Sequence, residues 1–259
     1  GENIGVVISG RERFPLNVRY PREVRDSLER LRTLPFVTER GESIPAVTMQ
    51  WRTWGELSPT GDNAIVVCHA LTGSSDLESW WPALLGRGRA LDPDKDFIIA
   101  VDALGSVHGS TGPASLAPDG QRWGRRFPAL TIRDLVRAQQ RVIDVLGVRS
   151  IRLVLGGSMG GMQALQMAIE YPRFTRRVLA MATTARESAQ AIAFNEVGRQ
   201  AIMQDPAWNR GDYPRESGPR VGLAIARMMA HITYVSDASM DRKFGRRKRD
   251  AAAGGDAFK

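Results

Sequence analysis

The sequence predicts an α/β fold, with a mostly parallel sheet and helices on both of its faces. Residues 65–68 and 97–101 are near-continuous apolar runs, which is typical of strands buried on both faces. A third run, residues 151–155, leads directly into a glycine-rich turn that is followed by a helical pattern. Strand-like and helix-like segments alternate in this order, and that alternation indicates a parallel sheet.

The individual elements follow from composition and spacing. The chain up to about residue 34 is polar and broken by prolines, so only a short helix over residues 24–31 is expected there. Runs rich in β-branched and aromatic residues predict strands over residues 46–51, 64–68, 97–102, 151–155 and 178–182. Apolar spacing predicts helices over residues 131–146, 162–171, 189–204 and 222–234. No strand-like run follows residue 183, so the predicted sheet is unfinished.

Charge and composition narrow the classes of function. The chain has 259 residues, and 36 Lys and Arg against 28 Asp and Glu give a formal net charge of +8. Six of the basic residues lie between Arg242 and Arg249, with no aromatic platform or zinc-ligand spacing beside them. Charge alone is a weak signal, so we expect a solvated tail and no nucleic-acid partner.

Cys68 is the single cysteine, which excludes an internal disulfide framework and fits a reducing compartment. No apolar run approaches the roughly 20 residues of a membrane-spanning helix. The first residues also lack the basic-then-apolar pattern of a secretory signal. We therefore expect a soluble, cytoplasmic protein with no membrane partner and no metal site.

The sharpest motif is G-x-S-x-G at residues 156–160, between the third apolar run and a helical pattern. Glycines permit a turn too tight for side chains, and the strain pushes the Ser158 hydroxyl outward. The Met159 amide would then point at the carbonyl oxygen under attack. A turn that binds a phosphate or only packs is the alternative, but the strand and helix on either side favour a nucleophile.

A second amide for an oxyanion hole is expected from the segment at residues 68–73, which follows the strand at residues 64–68. The backbone N–H of Leu71 is the best candidate donor there. His69 lies at the strand edge before the loop, so we assign it a structural role and not that of a base.

Five motifs lie in order at residues 68–73, 109–113, 156–163, 193–202 and 226–234. Together they resemble the homoserine O-acyltransferase family of α/β-hydrolase-fold enzymes, and the likeness covers about residues 47–247. The resemblance implies an α/β-hydrolase core at residues 1–183, in which residues 1–44 are an N-terminal extension. It further implies a helical lid at residues 184–245 and a basic tail at residues 246–259.

By this resemblance, Ser158 would attack the thioester of acetyl-CoA or a related acyl-CoA. Leu71 and Met159 would stabilise the acyl-enzyme, and L-homoserine would then take the acyl group in methionine biosynthesis. Arg227 would hold the carboxylate of the amino acid with its bidentate guanidinium, with Tyr234 and Thr72 close by. The family also implies a homodimer built through the lid and no permanently bound cofactor. Succinyl instead of acetyl, and serine instead of homoserine, stay open.

A catalytic acid and base are not identifiable in the sequence. In this fold they follow the nucleophile, whereas His69 and His108 precede Ser158 and His231 belongs to a lid motif. Family members continue beyond residues 246–247 with the strands that carry both groups, so we expect either an incomplete chain or a degenerate relative. Residues 254–258 resemble a terminal Gly-His-Asp-Ala-Phe segment of the family, with Gly255 in the place of the histidine. By this likeness Asp256 would contact the substrate amine, but chance and an internal deletion explain the match about equally well.

Two other classes of function stay open. The scaffold also suits a serine O-acyltransferase or an esterase, depending on how well the site excludes water. An inactive relative or an interaction module, in which Ser158 is only a turn residue, is the alternative outside enzymes.

Overall fold

The computed structural model describes residues 2–9, 12–18, 35–214 and 216–245. The chain divides into two compact units, residues 1–185 and residues 186–259. None of the helices in these described ranges is long and apolar enough to cross a membrane.

The first unit is organised around a five-stranded sheet in the order β5-β7-β6-β8-β9. Its strands are β5 (Trp51–Trp54), β6 (Ala64–Cys68), β7 (Phe97–Val101), β8 (Ile151–Gly157) and β9 (Val178–Met181). β5 is antiparallel to β7, and the other neighbouring strands are parallel. Two antiparallel pairs precede this sheet, β1 (Glu2–Ser9) with β2 (Glu12–Val18) and β3 (Phe36–Val37) with β4 (Ser43–Ile44).

Three described helices belong to the first unit and three to the second. Those of the first are α1 (Leu77–Trp80), α2 (Ile132–Val145) and α3 (Met159–Glu170). Those of the second are α4 (Ala189–Gln204), α5 (Arg220–Tyr234) and α6 (Asp237–Phe244). Short 3-10 helices lie at Gly124–Arg126 and Pro206–Gly211.

The central strands are buried on both faces, as the apolar runs predicted. On one face, Val66, Ile99 and Val154 pack with side chains of α2 and α3. On the other, Ile65 and Ile98 pack in a second cluster with α1 and residues 84–91. The mostly parallel α/β sheet predicted from the sequence is therefore confirmed.

The strand predicted at residues 46–51 is wrong in position, because β5 begins only at Trp51. The backbone before it bonds to a loop instead of to a strand. Thr48 N–H donates to Thr111 Oγ1 (2.8 Å), and Gln50 N–H donates to Ser110 Oγ (3.0 Å). Side-chain hydroxyls thus replace a neighbouring strand as the acceptors for these two N–H groups. Strand propensity does not predict such a replacement.

Other boundaries also differ from the predictions. The helix after the glycine turn begins at Met159 and not at residue 162, while α4 has the predicted bounds. The β1–β2 pair and helix α6 were not predicted. The short helix expected over residues 24–31 and the tail at residues 246–259 lie outside the described residues.

In the second unit, α4 and α5 pack closely at two glycines. A Cβ on Gly222 would lie 2.7 Å from Ile202 Cα, and one on Gly198 would lie 3.6 Å from Ala226 Cβ. The Asp205 carboxylate accepts hydrogen bonds from Gly222 N–H (2.8 Å) and Ala207 N–H (2.9 Å). These backbone donors lower the pKa of Asp205, which thereby caps the start of α5 as a charged group.

Candidate active site

Ser158 lies at the turn between β8 and α3, in a conformation that few residues with a side chain adopt. Its φ is 55° and its ψ is −123°, and the residue is exposed. Non-glycine residues with such angles cost of order 1–3 kcal/mol and occur mainly where function requires them. The strand-to-helix context that the sequence predicted for this serine is present.

The glycines around Ser158 are required by close backbone approach. A Cβ on Gly160 would overlap the Cys68 carbonyl oxygen, and one on Gly156 would overlap the Gly160 carbonyl oxygen. A Cβ on Gly161 would lie 2.6 Å from Thr183 Cγ2. By contrast, the nearest atom to a Cβ on Gly157 would be 3.9 Å away. Three of these four glycines therefore let α3 start directly against the end of β6 and the segment after β9.

The last residue of β9 and the segment after this strand hold the strained turn from the other side. Ser158 N–H donates to the Met181 carbonyl oxygen (3.0 Å), and Thr183 Oγ1–H donates to the Ser158 carbonyl oxygen (2.8 Å). Both peptide groups of the serine are thus fixed by residues remote from it in the sequence. Sequence reasoning missed Met181 and Thr183, because no local pattern announces a contact at that separation.

Replacing Thr183 by valine is expected to loosen this turn. The change keeps the shape of the side chain but removes the bond to the Ser158 carbonyl, worth about 1 kcal/mol in unfolding free energy. Urea unfolding should show that loss, and reaction of Ser158 with a phosphonate probe should slow. Thr175→Val is the matched control, since the Thr175 hydroxyl is buried without a partner among the described residues. Equal losses in both variants would contradict the role of Thr183.

The loop that follows β6 carries Leu71, which was predicted to be the second oxyanion donor. Leu71 and Thr72 are exposed, and Gly73 N–H closes a turn on the Ala70 carbonyl oxygen (2.9 Å). In the described part of the chain, neither the Leu71 N–H nor the Met159 N–H takes part in a hydrogen bond. Both amides are therefore available to a developing oxyanion.

His69 anchors this loop and is unavailable as a base. Its Nε2 accepts a hydrogen bond from Ala103 N–H (2.9 Å), so its Nδ1 carries the proton and donates to the Ala70 carbonyl oxygen (2.7 Å). The side chain is 1% exposed, and burial lowers the pKa of the imidazole. The ring is consequently neutral at pH 7 with both nitrogens engaged, in agreement with the structural role expected for it.

The other two histidines lie on a loop of the first unit and on a helix of the second. His108 lies exposed on the loop after β7, and His231 lies on α5 with its ring 6.2 Å from that of Phe244. Within the described ranges, no hydrogen bond joins the Ser158 hydroxyl to a histidine or a carboxylate. No group of three or more His, Cys, Asp or Glu that could hold a metal occurs in those ranges either.

The remaining predicted site residues are distributed as follows. Ser158, Met159, Leu71 and Thr72 belong to the first unit. Arg227 and Tyr234 lie on α5 of the second unit, where both are exposed. Asp256 lies outside the described residues.

Cys68, whose carbonyl oxygen lies against Gly160, is buried at the end of β6. Burial raises the pKa of its thiol to about 12. Because only the thiolate is an effective nucleophile, we expect the folded chain not to react with Ellman's reagent at pH ~8, and the chain unfolded in guanidinium to react fully. A raised pKa in the folded state also means that the thiol's contribution to stability is complete below pH ~9 and is lost as the pH rises toward 12. Prompt reaction of the native chain would contradict this burial.

A family model described as the α/β hydrolase fold matches residues 63–259. The chain belongs to this family. Its sequence relatives include the homoserine O-acetyltransferase of Trichormus variabilis, which is 48% identical over 221 residues, or 85% of this chain and 61% of the relative. The enzyme of the same name from Deferribacter desulfuricans is 47% identical over 82% of this chain and 59% of the relative. The chain thus spans about three fifths of the length of these relatives.

Solved structures of this hydrolase family show the same fold with two kinds of activity in their names. The homoserine O-acetyltransferase of Bacillus anthracis matches with a TM-score of 0.77 and 30% identity, over 82% of this chain and 61% of the other. Esterase E22 matches with a TM-score of 0.76 and 30% identity, over 87% of this chain and 67% of the other. The α/β-hydrolase fold expected from the motifs is therefore confirmed.

Proposed function

We propose that this chain is the nucleophile-bearing part of a homoserine O-acetyltransferase that acts through an acyl-Ser158 intermediate. The observation that carries the proposal is the exposed Ser158, held at a φ of 55° next to the unbonded Met159 amide. A strained serine at a strand-to-helix turn is the arrangement used for acyl transfer. Homoserine is proposed as the acceptor of the acyl group because sequence relatives that are 47–48% identical to this chain are named homoserine O-acetyltransferases.

In the proposed first step, the Ser158 hydroxyl attacks the thioester carbonyl of acetyl-CoA. The carbonyl oxygen becomes an oxyanion that accepts hydrogen bonds from the Leu71 and Met159 amides. Collapse of this intermediate breaks the C–S bond, the CoA thiolate leaves as the thiol with the proton that Ser158 has lost, and an acetyl ester remains on Ser158. In the second step, the hydroxyl of L-homoserine attacks that ester, its proton passes to the Ser158 oxygen, and O-acetyl-L-homoserine and free Ser158 are released. No cofactor is permanently bound in this scheme.

We propose Arg227 and Tyr234 as residues that bind the carboxylate of the acceptor, and Thr72 as a further substrate-binding residue. Within the described ranges, Arg227 is exposed and has no ion pair, so its guanidinium is available to a carboxylate. Arg227 and Tyr234 are seven residues apart on α5, which is about two helical turns. Asp256 is proposed to contact the amine of the substrate.

We further propose that the protein is a cytoplasmic homodimer formed through the second unit. We also propose that its reaction is one step of methionine biosynthesis. Several large apolar side chains of α4, α5 and α6 are exposed there, and exposed apolar surface of this extent is typical of an interface. They are Ile192, Val197, Met203, Val221, Leu223, Ile225, Met228, Ile232, Tyr234 and Phe244. Sedimentation equilibrium should give twice the monomer mass of 28.5 kDa. A monomer at micromolar concentration would contradict this part of the proposal.

Ester hydrolysis is the second candidate function, because esterase E22 matches this chain as well as the acetyltransferase structure does. The two differ only in whether water or homoserine accepts the acyl group. The discriminating assay measures release of the CoA thiol from acetyl-CoA with L-homoserine, with L-serine and with neither. Release that requires L-homoserine supports the transferase, and equal release in all three that exceeds the release by Ser158→Ala supports the hydrolase. Release that Arg227→Lys leaves unchanged would contradict the proposed carboxylate site.

A further inference from the structure

A buried chain of hydrogen bonds runs from helix α2 to both segments that carry the oxyanion donors. Gln139 Nε2 donates to Gln163 Oε1 (2.6 Å), and Gln163 Nε2 donates to the carbonyl oxygens of His69 and Met159 (3.3 Å each). The Cys68 thiol donates to Gln139 Oε1 (3.7 Å). Gln139 is 1% exposed and Gln163 is 0% exposed.

The direction of this chain is fixed by chemistry. Because burial raises the pKa of Cys68 to about 12, its thiol keeps its proton and acts as a donor. With its oxygen toward the thiol, Gln139 has its amino group free to donate to Gln163. Gln163 in turn presents both hydrogens of its amino group to two carbonyl oxygens. The reverse orientation of Gln163 would place three oxygen atoms together without a proton, so only one orientation satisfies every group.

The two carbonyl groups that Gln163 binds belong to the two halves of the oxyanion hole. The His69 carbonyl lies two residues before the Leu71 amide, on the loop after β6. The Met159 carbonyl belongs to the residue whose own N–H is the other donor, at the first turn of α3. Bonding to these carbonyls fixes both backbone segments and leaves their N–H groups free. One side-chain amide thus ties together donors that come from the ends of two different strands.

Other contacts hold the same loop but do not join it to α3 through a side chain. The His69 ring bonds to Ala103 N–H, and the Asp102 carboxylate accepts a hydrogen bond from Ser75 N–H. Both of these partners directly follow β7. Among the described hydrogen bonds, a side chain links the loop to the start of α3 only through Gln163.

We propose that Gln163, oriented by Gln139, is a positioning residue that sets the separation of the Leu71 and Met159 amides. This inference rests on the proposed function, because it assigns those two amides to the oxyanion of the Ser158 reaction. Loss of one oxyanion donor typically costs about 10²–10³ in rate, and a displacement of about 1 Å can cost about 10².

The test compares Gln163→Met and Gln139→Met with Gln140→Met. Methionine has a similar length and volume but no amide, and Gln140 is a neighbouring buried amide that bonds only to Asp144 in the described structure. We expect Gln163→Met to lower the rate constant for phosphonate labelling of Ser158 by about 10–100-fold, with KM for acetyl-CoA unchanged. Gln139→Met should have a smaller effect in the same direction, and Gln140→Met should label at nearly the rate of the parent chain. Equal rates for Gln163→Met and the parent chain, or equal losses in Gln163→Met and Gln140→Met, would overturn the proposal.

A second readout separates this proposal from the proposed function. The Gly73 amide bonds to the Ala70 carbonyl, so its hydrogen exchange reports the order of the loop. If the parent chain itself does not label at Ser158, the proposed function fails, and exchange alone decides the role of Gln163. We expect Gln163→Met to exchange Gly73 about tenfold faster while Gln140→Met does not. Unchanged protection at Gly73 in Gln163→Met would overturn the positioning role.

Discussion

Replacing Ser158 by alanine will abolish covalent labelling of the folded chain by a fluorophosphonate probe. The strained turn holds the Ser158 hydroxyl at the surface, and by the proposed mechanism the Met159 amide at the start of α3 would stabilise the negative charge that develops on the phosphoryl oxygen. An ordinary exposed serine has neither advantage. Alanine has no hydroxyl that the probe could phosphonylate, so we expect no label above background at position 158.

The measurement is the mass of the tryptic peptide that contains residue 158 after exposure to the probe. Ser79→Ala is the matched control, because Ser79 is an exposed serine of the same unit that lies on α1. This control should label like the parent chain. Label retained in Ser158→Ala, or label on Ser79, would show that the reaction is not specific to the turn and would favour an interaction module.

The sheet was predictable because the amino-acid composition of its strands reflects the burial of their faces. β6 and β7 are apolar at every position since both faces are covered, and a short run of this kind is typical of a central parallel strand. The start of β5 was not predictable in the same way. Its upstream backbone bonds to the hydroxyls of Ser110 and Thr111, which lie 60 or more residues further along the chain. Strand propensity depends only on nearby residues in the sequence. It therefore cannot show that side-chain hydroxyls, and not a neighbouring strand, bond to this backbone.

The same distinction applies to the candidate site. The glycine motif located Ser158 and Met159, because a turn that tight leaves few residue types possible. The motif at residues 156–163 also contained Gln163, but its role depends on Gln139 and on the His69 carbonyl, which are remote in sequence. Arg227, Tyr234 and Thr72 rest on resemblance alone, since their spacing would fit an ordinary helix face and loop equally well. Their roles stay predictions.

The Gly160→Ala variant is expected to show the largest loss of stability among single methyl additions at this turn. The added Cβ would overlap the Cys68 carbonyl oxygen and lie 3.0 Å from the His69 carbonyl oxygen. Both neighbours are backbone atoms at the end of a central strand, so they have no rotamer by which to move aside. Overpacking of this kind costs about 3 kcal/mol in unfolding free energy. Urea unfolding, followed by tryptophan fluorescence, should report the loss as a lower midpoint.

Gly157→Ala is the control that separates crowding from chain flexibility. The two glycines belong to the same motif, and neither has a positive φ, so alanine has no special backbone cost at either position. A Cβ on Gly157 would have its nearest neighbour at 3.9 Å, which is ordinary contact, so its effect should stay within about 0.5 kcal/mol. Similar losses in both variants would contradict crowding as the reason for glycine at position 160. A loss confined to Gly160→Ala, together with slower labelling of Ser158, would show that close approach of α3 to the end of β6 is what builds the oxyanion site.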